Sequence, residues 1–190
     1  ITKEMARDMS PEEKAAIEKR AKESSEAMKK NKELNDAFNG GMEALKGNNG
    51  QVAIDSFEKA ATMDAKQHVI FGQLAEAYTM VAKAKTGAEM EAANAKAIEN
   101  FKKALELKPD DAAYYNNLGL AQARNKQFPE AQESLNKAAQ LDPPGAGRYF
   151  YNLGALLVNS GQNEPAAVAF KKALEADPNY ADAHYQYGIY

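Results

Sequence analysis

One short pattern returns along this chain at a spacing near 34 residues, and that period limits the fold more than any single residue does. One clear copy runs Tyr115, Leu118, Gly119, Ala131, Leu135, Ala138 and Pro143. The next runs Phe150, Leu153, Gly154, Ala166, Phe170, Ala173 and Pro178. A repeat of this length is a two-helix unit that cannot bury its apolar face alone, so neighbouring units must stack into an array. An array of this kind is a surface for holding another molecule.

Numbered over 34 columns, the repeat divides residues 34–190 into units 34–67, 68–111, 112–146 and 147–180, with a partial unit at 181–190. Column 20 holds Ala53, Ala97, Ala131 and Ala166, and column 27 holds Ala60, Ala104, Ala138 and Ala173. Column 24 holds Phe57, Phe101, Leu135 and Phe170, and Phe-Lys-Lys-Ala-Leu-Glu occurs verbatim at 101–106 and 170–175. Small residues at column 8 (Gly41, Ala75, Gly119, Gly154, Gly188) let paired helices approach, while the large residue at column 24 fills space between units. Burying such a side chain contributes ~1.5–3 kcal/mol. Pro109, Pro143 and Pro178 stop the second helix of their units, and the first unit has Asp64–Ala65 there instead.

These columns resemble the tetratricopeptide repeat family, over about residues 34–190. The resemblance implies an all-α, right-handed superhelical solenoid of antiparallel helix pairs. Two departures stand out. The second unit, 68–111, is ten residues longer than the period, with the excess between Met80 and Ala97. Thr86–Gly87–Ala88–Glu89 reads there as a capping box, so both helices of that unit are expected to be lengthened. Gly40–Gly41 replaces Leu–Gly in the first unit, which is expected to weaken its leading helix. Residues 1–33 differ from the rest: they are rich in Lys and Glu, with scattered Met5, Met9, Ile17 and Met28. Ser10–Pro11–Glu12–Glu13 marks the start of a solvated helical leader, with Ser at the N-cap, Pro at the first helical position and Glu13 set for a capping box.

In the family the leading helices line a concave wall, and the resemblance places columns 2, 5, 6, 9, 12 and 13 toward it. Column 6 carries a carboxamide in every unit: Asn39, Gln73, Asn117, Asn152 and Gln186. A carboxamide both donates and accepts, so a ladder of them can pair with the backbone of an extended peptide, at roughly 0.5–1.5 kcal/mol per hydrogen bond. The competing reading is that these amides bond across to the adjacent unit. Asn116, Leu120, Arg124, Arg148, Tyr151 and Tyr185 complete the candidate groove, alongside Phe38, Met42, Val69, Glu76, Met80, Val158 and Ile189. Of the tyrosines at columns 3 and 5, Tyr114, Tyr149, Tyr151 and Tyr185 are expected to present edges to solvent or to a partner. Some family members clamp a peptide's terminal carboxylate with Lys and Asn. Asn117 and Arg148 fit that pattern, but Gly72 and Glu76 stand where Lys and Asn are needed, and Glu76 would repel a carboxylate.

No constellation for catalysis, cofactor or metal emerges. There are no cysteines and two histidines. His68 heads a repeat as a solvated or capping residue, and His184 stands at column 4, an aromatic core position. Carboxylates alternate with Lys, as in Glu18–Lys22 and Glu99–Lys103, which suits helical ion pairs on wet faces. Gly47–Asn48–Asn49–Gly50 lacks the Lys–Ser/Thr of a phosphate loop and reads as an interhelix turn. With 24 basic against 27 acidic residues and a net charge of −3, nothing points to nucleic acid. No apolar run approaches the roughly 20 residues of a membrane span. The compartment stays open, cytoplasmic or periplasmic.

The expectation is therefore a noncatalytic scaffold that holds a protein or peptide partner, as an extended peptide or a helix, in its concave groove. The alternatives are a structural module that self-associates end to end through its uncapped last unit, and a helper domain of a larger enzyme or secretion component. The partial unit and the start at Ile1 favour a fragment of a longer protein.

Overall fold

A computed structural model of the chain describes residues 9–188. Among the described residues, helices alternate with short turns and no strand occurs. In order they are α1 (Pro11–Lys46), α2 (Gly50–Met63), α3 (His68–Lys83), α4 (Gly87–Leu107), α5 (Ala112–Arg124) and α6 (Phe128–Leu141). A short 3-10 turn (Pro143–Gly145) leads into α7 (Ala146–Asn159), α8 (Asn163–Ala176) and α9 (Ala181–Tyr187). The pairs α1–α2, α3–α4, α5–α6 and α7–α8 pack together, and each pair abuts the next along an all-α solenoid.

The repeated columns explain the packing. All eight alanines of columns 20 and 27 are fully buried. Phe57, Leu135 and Phe170 are likewise fully enclosed, and Phe101 nearly so. Each column 24 side chain lies against the small column 8 residue of its own unit. A Cβ added at Gly41 would stand 2.6 Å from Phe57 Cε1, at Gly119 2.7 Å from Leu135 Cγ, and at Gly154 2.5 Å from Phe170 Cε1. In these three units the absence of a side chain at column 8 sets how closely the two helices approach, and Ala75 keeps the position small in the second. The same rings also reach the following unit, as where Phe101 meets Tyr114 at 6.5 Å between centroids.

Local chemistry accounts for the ends of the helices. Ser10 caps α1: its hydroxyl accepts from the Glu13 N–H at 3.2 Å, and Glu13 accepts from the Ser10 N–H at 2.7 Å. The helix then runs unbroken through Gly40–Gly41. From Pro11 to Glu33 it is exposed, Ile17 alone being half-buried, and it continues directly into the leading helix of the first unit. Where the first unit lacks proline, Asp64 organises the turn by accepting from the Lys66 N–H at 2.9 Å and from Gln67 Nε2 at 2.8 Å. Asp111 caps α5, accepting from the N–H groups of Ala113 and Tyr114. Burial opposes its ionisation, but Lys108 at 3.0 Å and those two N–H donors hold its carboxyl below the usual range.

The second unit is lengthened in both helices, with α4 spanning 21 residues against 14 in α6 and α8. Its turn differs from the capping box read in the sequence. The Thr86 side chain makes no cap bond, and Glu89 instead pairs with Lys85 at 2.9 Å. Two aromatic positions are also corrected. His184 is exposed rather than packed as a core ring, because no helix follows α9 among the described residues. Its Nε2 lies 2.7 Å from the Pro178 carbonyl. Tyr149 is only 3 % exposed: it turns back onto the Pro143–Gly145 bend and donates to the Asp142 carboxylate.

A groove between the leading helices

The site grows from the way α3 and α5 meet. Near their N-terminal ends the two helices are pinned by a ring. Tyr114 fits where Gly72 has no side chain, so close that a Cβ there would lie 2.5 Å from Tyr114 Cε1. Its hydroxyl meets His68 Nδ1 at 3.0 Å, and the two rings stand edge to face at 5.8 Å. His68 is therefore half-buried and paired, not simply solvated, and Tyr114 faces the preceding unit instead of offering an edge to a partner. Beyond this pin the helices scarcely touch, whereas α5 and α7 pack directly on each other.

A cavity of about 880 Å³ opens in the gap. From α3 it is lined by Glu76, Thr79, Met80 and Lys83, and from α5 by Asn117, Leu120 and Arg124. Phe101 of α4 forms its floor, and Leu45 with the α1–α2 turn closes one rim. Except for Val81 and Lys83, the lining residues of α3 and α5 fall at columns 6, 9, 12 and 13, as does Leu45. The remaining wall, Val81, Lys83, Ala84 and Lys85, comes from the stretch that lengthens the second unit. Lys83 and that wall were not among the sequence candidates. The insertion after Met80 was the signal that could have found them.

Electrostatically the cavity is mixed and unpaired. Glu76 reaches solvent, yet the surrounding walls displace enough water to raise its carboxyl above the ordinary range. Burial likewise pushes the Arg124 guanidinium down. Neither residue, nor Lys83, makes an ion pair with another described residue, while Lys85 is taken by Glu89.

The other candidates lie outside this cavity. Asn39 is exposed on α1, and Gln73, Asn152 and Gln186 are half-buried on α3, α7 and α9. Of the column 6 amides only Asn117 is tied to another described side chain: its Oδ1 accepts from Asn116 Nδ2 at 3.0 Å, within the same helix. Tyr151 is half-buried between Phe170 and Tyr180, at 5.7 and 5.1 Å between centroids. Arg148 is exposed and stacks over the Tyr149 ring at 5.4 Å. Tyr185 is 71 % exposed on α9. Ile189, also proposed for the groove, lies outside the described residues, as does Met5 of the leader. No helix among the described residues is long and apolar enough to cross a membrane.

Stacked helix pairs with a groove along the leading helices define a helical-repeat solenoid. Comparison with known proteins gives the class its family. Models described as TPR repeat or tetratricopeptide repeat match residues 93–126, 112–144 and 147–180. Residues 93–144 and 147–180 thus carry the repeats of the tetratricopeptide repeat family. It is 42 % identical over 72 residues to the peroxisomal targeting signal receptor of Candida albicans, covering 38 % of this chain and 12 % of that protein. It is 34 % identical over 83 residues to the small glutamine-rich tetratricopeptide repeat-containing protein 2 of Mycosarcoma maydis, covering 44 % and 23 %. The chain thus spans less than a quarter of the length of these two relatives. The crystal structure of MamA protein superposes with a TM-score of 0.66 at 20 % identity, over 84 % of this chain and 81 % of that one, a likeness of fold.

Proposed function

We propose that the array is a noncatalytic scaffold that holds an extended segment of a partner protein in the groove of its leading helices, centred on the α3–α5 cavity. The observation that carries this reading is the cavity itself. It is large enough for several side chains, floored by Phe101, and lined by apolar Met80 and Leu120 beside the polar groups of Asn117, Thr79, Glu76 and Arg124. Likeness to relatives that include a targeting-signal receptor supports a binding role. Asn117 supplies the amide at the centre, and the column 6 amides at Gln73 and Asn152 continue the line to either side. Arg148, Tyr151 and Tyr185 extend the groove along α7 and α9.

The test is selection from a displayed library of random peptides, followed by fluorescence anisotropy on the isolates. Leu120→Arg places a charge in the middle of the cavity and should weaken binding by about tenfold or more, equivalent to at least ~1.4 kcal/mol, with unchanged thermal melting. Asn117→Ala combined with Asn152→Ala should weaken the same isolates without unfolding the array. Affinity indifferent to Leu120→Arg would contradict the groove.

A further inference from the structure

Four charged side chains line the α3–α5 cavity, and only Lys85 has an ion-pair partner among the described residues. Glu76, Lys83 and Arg124 have none. Their placement is ordered. Lys83 and Arg124 stand at the C-terminal ends of α3 and α5, on the same side of the cavity. Glu76 lies seven positions before Lys83 on α3, about 10 Å back along the helix axis. Met80 lies between Glu76 and Lys83 along α3, Leu120 stands about one turn before Arg124 on α5, and both line the cavity. The cavity thus has a cationic end, an apolar middle and an anionic end. Glu76 and Lys83 reach solvent and Arg124 is half-buried in the free cavity. A ligand seated over them displaces that water, so one that supplies both counter-charges binds better than a neutral one.

We infer that the cavity selects a peptide segment carrying a carboxylate and a basic side chain on either side of an apolar residue. The carboxylate meets Arg124 and Lys83, the base meets Glu76, and the apolar residue seats between Met80 and Leu120. An extended chain advances about 3.3 Å per residue, so the two charges fall about three to four positions apart. This inference rests on the groove reading above and adds the chemistry of the occupant. It differs from recognition of a bare terminal carboxylate, which would leave Glu76 unmet.

The peptides isolated on the wild-type chain provide the test. Isolates whose binding is lost on Leu120→Arg should be enriched in an acid and a base at that separation, flanking an apolar residue. Replacing the peptide's base by Gln should weaken binding to wild type by about three- to tenfold and leave binding to Glu76→Gln unchanged. The matching cycle uses Arg124→Gln with the peptide's acid replaced by its amide. Isolates that are sensitive to Leu120→Arg yet neutral, or acidic only, overturn the inference and leave the groove reading standing. The same holds for cycles that show no coupling. Recovery of no isolate sensitive to Leu120→Arg overturns both.

Discussion

Gly40 and Gly41 are adjacent on α1, and the packing of the array says that they should respond oppositely to the same substitution. A Cβ at Gly40 meets nothing nearer than Ser56 Oγ at 3.8 Å, an ordinary contact. At Gly41 it would stand 2.6–2.8 Å from three atoms of the Phe57 ring. That ring is fully buried and held edge-on by Phe38 at 5.6 Å, so it has little room to retreat. Both positions lie inside a helix, where Gly→Ala gains ~1 kcal/mol from propensity alone. Overpacking a tight core costs about 1–3 kcal/mol. Gly40→Ala should therefore stabilise by up to ~1 kcal/mol. Gly41→Ala should range from neutral to about 2 kcal/mol less stable. Because the propensity gain is common to both, their difference isolates the clash, about 1–3 kcal/mol, or roughly 2–4 °C in melting per kcal/mol for a chain of this size. Urea denaturation followed by far-UV circular dichroism measures it. Equal stability of the two variants would refute the claim that column 8 sets the helix spacing.

Two further outcomes follow from polar groups taken out of water, one fully and one in part. The Asn94 amide is fully enclosed on α4 and finds no hydrogen-bond partner among the described residues, so the near-isosteric Asn94→Leu, which removes the unmet amide without opening a void, should stabilise by about 1–3 kcal/mol; a loss in thermal melting would contradict it. The Tyr78 phenol is pushed up to about 12, chiefly by burial and then by its 2.7 Å bond to Glu58. An unfolded tyrosine ionises near 10, so Tyr78 contributes stability that is complete below about pH 10 and falls away toward about pH 12. Urea melts at about pH 9 and about pH 11 should show a smaller decline for Tyr78→Phe than for wild type, and identical declines would contradict the assignment.

How much could be read from residues alone depended on whether the deciding contact repeats. Ala53, Ala97, Ala131 and Ala166 recur because every unit makes the same close approach, so the periodic fold was legible. Ser10 and Glu13 were legible because a capping box closes within four residues. Non-repeating contacts were not. Tyr114 and Tyr149 share column 3 and turn inward for different reasons, one toward Gly72 and His68, the other toward the Pro143–Gly145 bend. The insertion after Met80 announced longer helices, but not that the added turns would wall a cavity. That needs the divergence of α3 from α5, which is tertiary. Column numbers placed Asn117, Leu120 and Arg124 on one face of α5, the face that lines the cavity. They could not show that Glu76 and Arg124 share one unpaired cavity.

The most direct measurement of the central claim is the affinity of a selected peptide for the wild-type chain and for Leu120→Arg, with melting recorded on both. A groove formed by the leading helices requires binding to fall about tenfold or more while the melting curve stays in place. Full-strength binding by the correctly folded Leu120→Arg chain would contradict it and send the search for the partner's surface to another face of the array.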